Sequence, residues 1–388
     1  MMSLSIEHTN RNKSRHYLPP GSTVGILGGG QLGRMMILEG KKMGLRFVTL
    51  DPASDCPGSH VADDHLIASF GNQEMARRLA TLCDVITYEF ENVDGSVARL
   101  LEEKAWLPQG ASLLETTRHR LREKQALMNA GIPVAPYRGV TKAADLAGAV
   151  AEVGLPCVLK TVTGGYDGKG QRIIRHHGEI SQVAAEIRVG ETCIVEGFIP
   201  FVKELSVIAS RGQDGEIRCF PPVENIHRDH ILHMTIAPAP VQDAITEAAE
   251  DLATKVAEEL GVVGVIGVEM FLQEDGSLLV NELAPRPHNS GHFTLDACNV
   301  SQFEQHLRAI CGWPLATPRL LSPAVMINIL GQHTEKLMAQ LPTMSPEIKV
   351  HWYGKEENRV GRKMGHLTAL GSSVEEAQRH LTSCELLS

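Results

Sequence analysis

From residue 21 the chain alternates short apolar, β-branched runs with stretches of helical spacing. STVGILG (22–28) ends in glycines, RMMILEGKKMG (34–44) reads as a helix stopped at Gly44, and LRFVTLDP (45–52) as a strand stopped by Pro52. HLIASF, a helical stretch at about 72–83, and DVITYEF continue the alternation. Strands alternating with helices predict a parallel, doubly wound sheet, here a unit over 21–117. A second unit, 118–197, has helices at about 118–129 and 143–153. Its strand-like runs PCVLKTV and QRIIR flank the glycine-rich TGGYDGKG, and ETCIVEGF follows. A small α+β domain fits this pattern. The third unit, 198–388, has the strand ELSVIASR, a helix at about 241–260, the hairpin-like GVEMFLQ–EDGS–LLVNELAP, and a β-rich tail of AVMINIL, IKVHWYG and GHLTAL. Residues 1–20 are polar, lack the apolar stretch of a secretory signal, and read as a loosely ordered extension.

A chain of 388 residues exceeds what one core usually serves, so several domains are expected. The apolar runs are too short for a membrane span. A net charge of −9 without a basic stripe argues against a nucleic-acid partner. Any anion must therefore be met locally, by a few basic side chains and aimed amides. The eight cysteines form no CxxC pair, which predicts idle thiols in a reducing cytoplasm rather than disulfides or zinc.

Three features carry candidate chemistry. GGGQLG at Gly28–Gly33 lies between a strand and a helix, with Asp51 ending the next strand. That arrangement suits a phosphate at a helix N-terminus and an acid for ribose hydroxyls; the alternative is a merely tight turn. The second glycine loop, Gly165–Gln171, has Lys160 before it and Lys169 within it, which suits a phosphate-covering flap; the alternative, a plain flexible hairpin tip, leaves the two lysines unexplained. The third is the hairpin centred on Asp275–Gly276. Pairing outward from a two-residue turn sets 273 against 278 and Glu269 against Glu282. Phe271, Leu278 and Val280 would then share the face of the two carboxylates. Opposed carboxylates on an apolar face call for a cation or a shared proton, and hard oxygen ligands suit magnesium; the alternatives are an exposed strand face or a register slip from a longer loop. Arg286, between Pro285 and Pro287, offers a fork for a planar oxyanion. His227, His230 and His233 suggest hydrogen bonding near a ligand more than a zinc site.

Taken in order, GILGGGQLGRM, TYEFENV, GGYDGKGQ, EGFIPFVKELSV, NIHRDHI, GVEMF, VNELAPRPHNSGH and HWYGKEENRVGRKMGH resemble the ATP-grasp superfamily. Within it, they resemble the 5-(carboxyamino)imidazole ribonucleotide synthases, over nearly all of 21–368. The resemblance implies an ATP-grasp fold: an N-terminal doubly wound parallel-sheet (pre-ATP-grasp) domain, a small lid domain and a C-terminal mixed-sheet domain. It implies ATP and Mg2+ (Mn2+ substituting), a homodimer, and a product passed to a mutase. The implied reaction is carboxylation of the amine of 5-aminoimidazole ribonucleotide by bicarbonate, through carboxyphosphate, in purine synthesis.

It also implies residue roles. Arg120 and Lys160 contact ATP phosphates, and Gly165, Tyr166, Asp167, Gly168, Lys169, Gly170 and Gln171 form the lid loop. Glu196, Gly197, Phe198 and Ile199 line the adenine, Glu204 holds the ribose, and His227 lies beside the nucleotide. Glu269 and Glu282 bind the metal with Asn281 beside them, and Arg286 clamps bicarbonate. Gly30, Gln31, Leu32, Glu91, Tyr166, Asp167, Lys169, Arg286, His288, Asn289, Lys355, Arg362 and Lys363 meet the ribonucleotide. Lys169 stands where many members have arginine, which keeps the charge and loses the bidentate fork.

Three other readings stay open on the sequence. An NAD-dependent oxidoreductase would use GGGQLG and Asp51. A different ATP-grasp ligase would keep the nucleotide half. A non-catalytic ATP-binding protein would need neither clamp nor metal pair.

Overall fold

A computed structural model of the chain describes residues 16–164 and 170–382. Three sheets hold these residues. The first is parallel, in the order Asp64–Ile67, Arg46–Asp51, Thr23–Leu27, Val85–Tyr88. Its central strand Thr23–Leu27 is buried throughout, as a sheet covered on both faces requires. The helix Gln31–Lys42 follows the glycine turn, and Gln73–Leu82 is capped by the Asn72 side chain on the Met75 amide.

The second sheet is small and antiparallel, ordered Tyr137–Val140, Cys193–Gly197, Cys157–Thr161, Gln171–Ile174. It has a core of its own, built from Val140, Leu146, Leu159 and Val195 among others. The third sheet has nine strands. Its main path runs from the edge strand Leu278–Ala284 through Gly264–Gln273 and Phe201–Arg211 to the tail strands Ala324–Leu330, Lys363–Leu370 and Ile348–Trp352. The helix Asp243–Glu259 lays Ala249, Ala253 and Val256 on its core face.

Several boundaries differ from the sequence reading. Leu127 and Ile132 pack with Leu205, Val207 and Ile266, so the helix Arg120–Asn129 shares the large sheet's core rather than the lid's. Helices Gly95–Lys104, Ala111–Thr117 and Val374–Thr382 were not anticipated. Part of the supposed extension is docked: Leu18 is buried, its amide donates to the Cys311 carbonyl at 3.0 Å, and its carbonyl accepts from Trp313 Nε1 at 2.7 Å.

The carboxylate hairpin also differs in detail. Its loop has three residues, closed by the Gln273 amide on the Ser277 carbonyl, with Gly276 in the left-handed region at φ 84°. Leu278 therefore faces Leu272, not Gln273, and Val280 faces Met270. A bulge then inserts Asn281 and brings Glu282 opposite Glu269. The predicted pair is present, while its apolar neighbours are not as expected. Leu278 and Val280 turn into the core, and only Phe271 stays beside the carboxylates.

Candidate active site

The three sheets meet at a cleft of about 1100 Å3. Its first wall is the glycine turn. The loop's amides, read from the sequence as a ligand's anion site, already hold an anion of the protein. Glu89 is buried, and its carboxylate accepts from the Gly30 and Gly33 amides. Asp51 accepts from Gly29 at 2.9 Å and Ala53 at 2.9 Å. The helix N-terminus thus finds its counter-charge internally. Burial pushes the Glu89 carboxyl up to about 7 despite those amides. Sequence reading missed Glu89; the signal was its alternation with Glu91 at a strand end facing a glycine loop. Gly30, Gln31 and Leu32 do line the cleft.

The second wall comes from the small sheet. Lys160 is next to last in the strand Cys157–Thr161, and its Nζ lies 2.8 Å from Glu196 Oε2 on the neighbouring strand. Burial would raise the Glu196 carboxyl, but Lys160 and then Lys124 reverse this and hold it below its usual value. Glu196 Oε1 is buried without a hydrogen-bond partner, an acceptor aimed at nothing in the protein. Beside it the cleft is apolar: Val158, Phe198 and Ile199 line it, and Phe201 stacks on Phe271 with ring centroids 4.7 Å apart and planes within 4°. Gly197 and Gln171 also line it, and the Gln171 amide nitrogen reaches His230 Nδ1 at 3.4 Å. Gly170 closes the described part of the glycine flap; Gly165, Tyr166, Asp167, Gly168 and Lys169 lie outside the described residues.

The floor is the large sheet. Glu204 faces His227, Nδ1 to Oε2 2.7 Å. Burial opposes charge on this imidazole, yet the Glu204 and Glu269 carboxylates outweigh it and raise His227 above its ordinary value. His230 occupies a two-residue turn with Asp229, both at positive φ, while His233 points away and is buried, its pKa pushed down to about 4 by burial. The three histidines therefore do not converge, and among the described residues no group of three His, Cys, Asp or Glu side chains forms a metal cage by itself.

Glu269 lies 3.2 Å from His288 Nε2. Burial alone would raise its carboxyl; His288 first, then His227 and Lys363, hold it down at about 2. Glu282 is met by Arg120 at 3.5 Å. Asn281 lines the cleft between the two.

Arg286 reaches across to the first wall, Nη2 to Glu91 Oε1 2.6 Å, and donates to the Pro287 carbonyl at 3.0 Å; its Nε is buried without a partner. Asn289 is buried with both amide atoms unpartnered. Lys355 donates to Gln31 Oε1 at 2.7 Å and to the Lys363 carbonyl at 2.6 Å. Burial, then Arg362 and Lys363, lower it to about 8. Arg362 holds Glu357 at 3.1 Å. The tail thus joins the glycine turn, and three basic residues converge at one end of the cleft.

One cleft is thus lined by an apolar slot beside Lys160, by Glu269, Glu282 and Arg286, and by the basic cluster Lys355, Arg362 and Lys363, a set that suits activation of a substrate by ATP. Known proteins agree on the class. The family described as ATP-grasp domain matches residues 125–303, the ribonucleotide synthetase preATP-grasp domain 22–115, and the phosphoribosylaminoimidazole carboxylase C-terminal domain 324–380. The molecule is an ATP-grasp ligase. The N5-carboxyaminoimidazole ribonucleotide synthase of Bacillus subtilis (strain 168) is 49% identical over 370 residues, 95% of this chain and 97% of the relative. The crystal structure of an N5-carboxyaminoimidazole ribonucleotide synthetase in complex with ADP superposes with a TM-score of 0.92 at 46% identity, over 96% of this chain and 98% of that one. An Aspergillus clavatus N5-carboxyaminoimidazole synthase, solved with ADP and 5-aminoimidazole ribonucleotide, gives a TM-score of 0.88 at 32% identity over 95% and 99%. The chain belongs to the N5-carboxyaminoimidazole ribonucleotide synthase family.

Proposed function

We propose that this chain uses ATP and bicarbonate to carboxylate the exocyclic amine of 5-aminoimidazole ribonucleotide, with release of ADP and phosphate. The observation that carries the reading is the cleft's asymmetry. An apolar slot with Lys160 and Glu196 belongs to the small sheet's wall, Lys355, Arg362 and Lys363 come from the tail that joins the glycine turn, and Glu269, Glu282 and Arg286 come from the large sheet and the segment after it.

The unpartnered Glu196 Oε1 suits the amino edge of adenine, and the Phe198 and Phe271 region suits its faces. Glu204 is placed for ribose hydroxyls, with His227 beside it. Lys160 and Arg120 turn positive charge toward the triphosphate. Two carboxylates and the Asn281 amide form a set of hard oxygen donors, which fits magnesium completed by phosphates and water. When bound, magnesium would neutralise charge on the phosphates during transfer.

Arg286 holds bicarbonate for attack on the terminal phosphorus, giving carboxyphosphate. The chemistry needs positioning and charge stabilisation rather than a covalent enzyme intermediate. The ribonucleotide's amine then attacks the activated carboxyl carbon and phosphate leaves. The flap Gly165–Gln171 keeps water from the labile intermediate. Lys355, Arg362 and Lys363 take the ribonucleotide phosphate. Gln31, Leu32, Glu91, His288 and Asn289 surround the rest. The unsatisfied amide of buried Asn289 supports a polar partner there.

The reading extends to a homodimer, to transfer of the labile carbamate to a mutase, and to a cytoplasmic setting. Among the described residues no helix is long and apolar enough to cross a membrane. The deciding experiment measures ADP release with Mg-ATP and controlled bicarbonate, with and without the ribonucleotide. Stimulation by the ribonucleotide with bicarbonate-dependent loss of its free amine is expected. ATP turnover indifferent to the ribonucleotide would discard the acceptor.

A further inference from the structure

The helix Arg120–Asn129 carries a buried glutamate and a buried lysine that the reaction above does not use. Glu123 is 2% exposed and Lys124 is 1% exposed. Burying charge is costly, and an apolar pair would cover a sheet edge more cheaply. Both side chains instead grip backbone. Lys124 Nζ donates to the Asn281 carbonyl at 2.8 Å and the Val280 carbonyl at 3.3 Å. Glu123 Oε2 accepts from the Leu283 amide at 3.3 Å.

These contacts fall on one short stretch. Leu278–Ala284 is the edge strand of the nine-stranded sheet, and its bulge lies between Val280 and Glu282. A bulged edge leaves backbone groups without ladder partners. On the same side the Val280 amide donates to the Pro133 carbonyl at 2.8 Å, and the helix's two side chains take up the Val280 and Asn281 carbonyls and the Leu283 amide. Arg120, one turn earlier on the same helix face, meets the Glu282 carboxylate itself at 3.5 Å. Positions 120, 123 and 124 therefore clamp residues 280–283 from a single helix.

We propose that Glu123 and Lys124 are positioning residues: they hold the bulge at Asn281, and the bulge aims Glu282 into the cleft beside Glu269. The inference rests on the reading of Glu269 and Glu282 as the metal pair. Without the bulge's extra residue, alternation along the strand would put the side chain at 282 on the core face with Val280. Holding the bulge is thus what keeps the second carboxylate on the ligand side. Burial raises the Glu123 carboxyl and lowers Lys124, so the packing that holds the strand keeps both groups from water.

The test titrates Mn2+ into the ADP-saturated full-length protein by electron paramagnetic resonance, with metal-free ADP binding and thermal unfolding measured in parallel. Lys124→Met keeps the length of the side chain and removes its donors. It is expected to weaken Mn2+ about tenfold or more while metal-free ADP binding holds. Wild-type Mn2+ affinity in a folded Lys124→Met protein, whatever its melting temperature, overturns the proposal. If that variant does not fold, Glu123→Met, which keeps length and removes the acceptor for the Leu283 amide, is read in the same way: weakened Mn2+ supports the clamp and unchanged Mn2+ overturns it. Glu282→Gln separates the two layers. Unchanged Mn2+ affinity there removes the metal reading itself. Loss in Glu282→Gln with none in the clamp variants removes only the clamp.

Discussion

At the scale of single residues, most of the site is a set of side chains whose charge is fixed by a neighbour. Glu269 is held ionised by His288, and Glu282 faces Arg120. Glu269→Gln and Glu282→Gln should each lower kcat on the order of a hundredfold or more, because each removes charge from the centre where transfer is stabilised. Single-turnover ADP formation checks this, and retained activity in both would refute the assignment.

Lys355 has a different dependence. Its folded value of about 8 lies below the ordinary 10.5, so the folded protein releases this proton first. The buried charge therefore costs stability below about pH 8, and the cost disappears as pH passes the ordinary lysine value. For binding the sign is opposite. Protonated Lys355 attracts the ribonucleotide phosphate, so KM for the ribonucleotide should rise as pH climbs through about 8. Lys355→Met should raise KM throughout and flatten that limb, which a KM profile against pH would show.

At the scale of elements, the hairpin shows how far sequence reading carries. Opposition of Glu269 and Glu282 was legible from Asp275–Gly276, but only because two departures cancel: one more loop residue, then one bulge residue. The faces did not survive the exchange, and Leu278 and Val280 went to the core. Binary patterning cannot mark a bulge, since Asn281 offers no signal beyond its polarity. The residues in motifs were legible because their chemistry is in their side chains. Glu89, Glu123 and Lys124 were not, because their partners are backbone groups distant in sequence. Short helices such as Ala111–Thr117 span too few turns to display a period.

The loop geometry makes its own prediction. A Cβ at Gly276 would meet only Ile245 at 3.6 Å, an ordinary contact, so substitution there costs backbone strain alone. Gly276→Val should destabilise by about 1–2 kcal/mol and Gly276→Asn by less, read from urea midpoints.

At the scale of the molecule, the first and third sheets are joined by a buried polar chain. The Val265 amide donates to His306 Nδ1 at 3.2 Å, which leaves the proton on Nε2, 2.8 Å from the Thr87 hydroxyl. Thr87 passes its own proton to Gln109 Oε1 at 2.5 Å, and Gln109 Nε2 donates to the Pro285 carbonyl at 2.9 Å. Burial keeps His306 neutral, its pKa pushed down to about 3, so the chain holds one sense throughout. Thr87→Val, similar in shape, strands groups on both neighbours. It should cost about 1–3 kcal/mol in chemical denaturation, with the small sheet's own core unaffected.

That chain runs from beside Glu89 and Glu91 to the carbonyl preceding Arg286, and the helix Gln302–Ile310 lends Phe303, Leu307 and Ile310 to the core of the first unit. The walls that carry Gln31 and Arg286 are thus one block, while the small sheet with Lys160 and Glu196 keeps a separate core and is tied to that block through short connections. A rigid-body search with this molecule should cut near residues 137 and 197, leaving 120–132 with the main block. Two crystal forms should then differ by a single rotation of that piece. In a cryo-EM map it is this piece that should blur first, while the block around Gln31 and Arg286 stays sharp whether or not nucleotide is present.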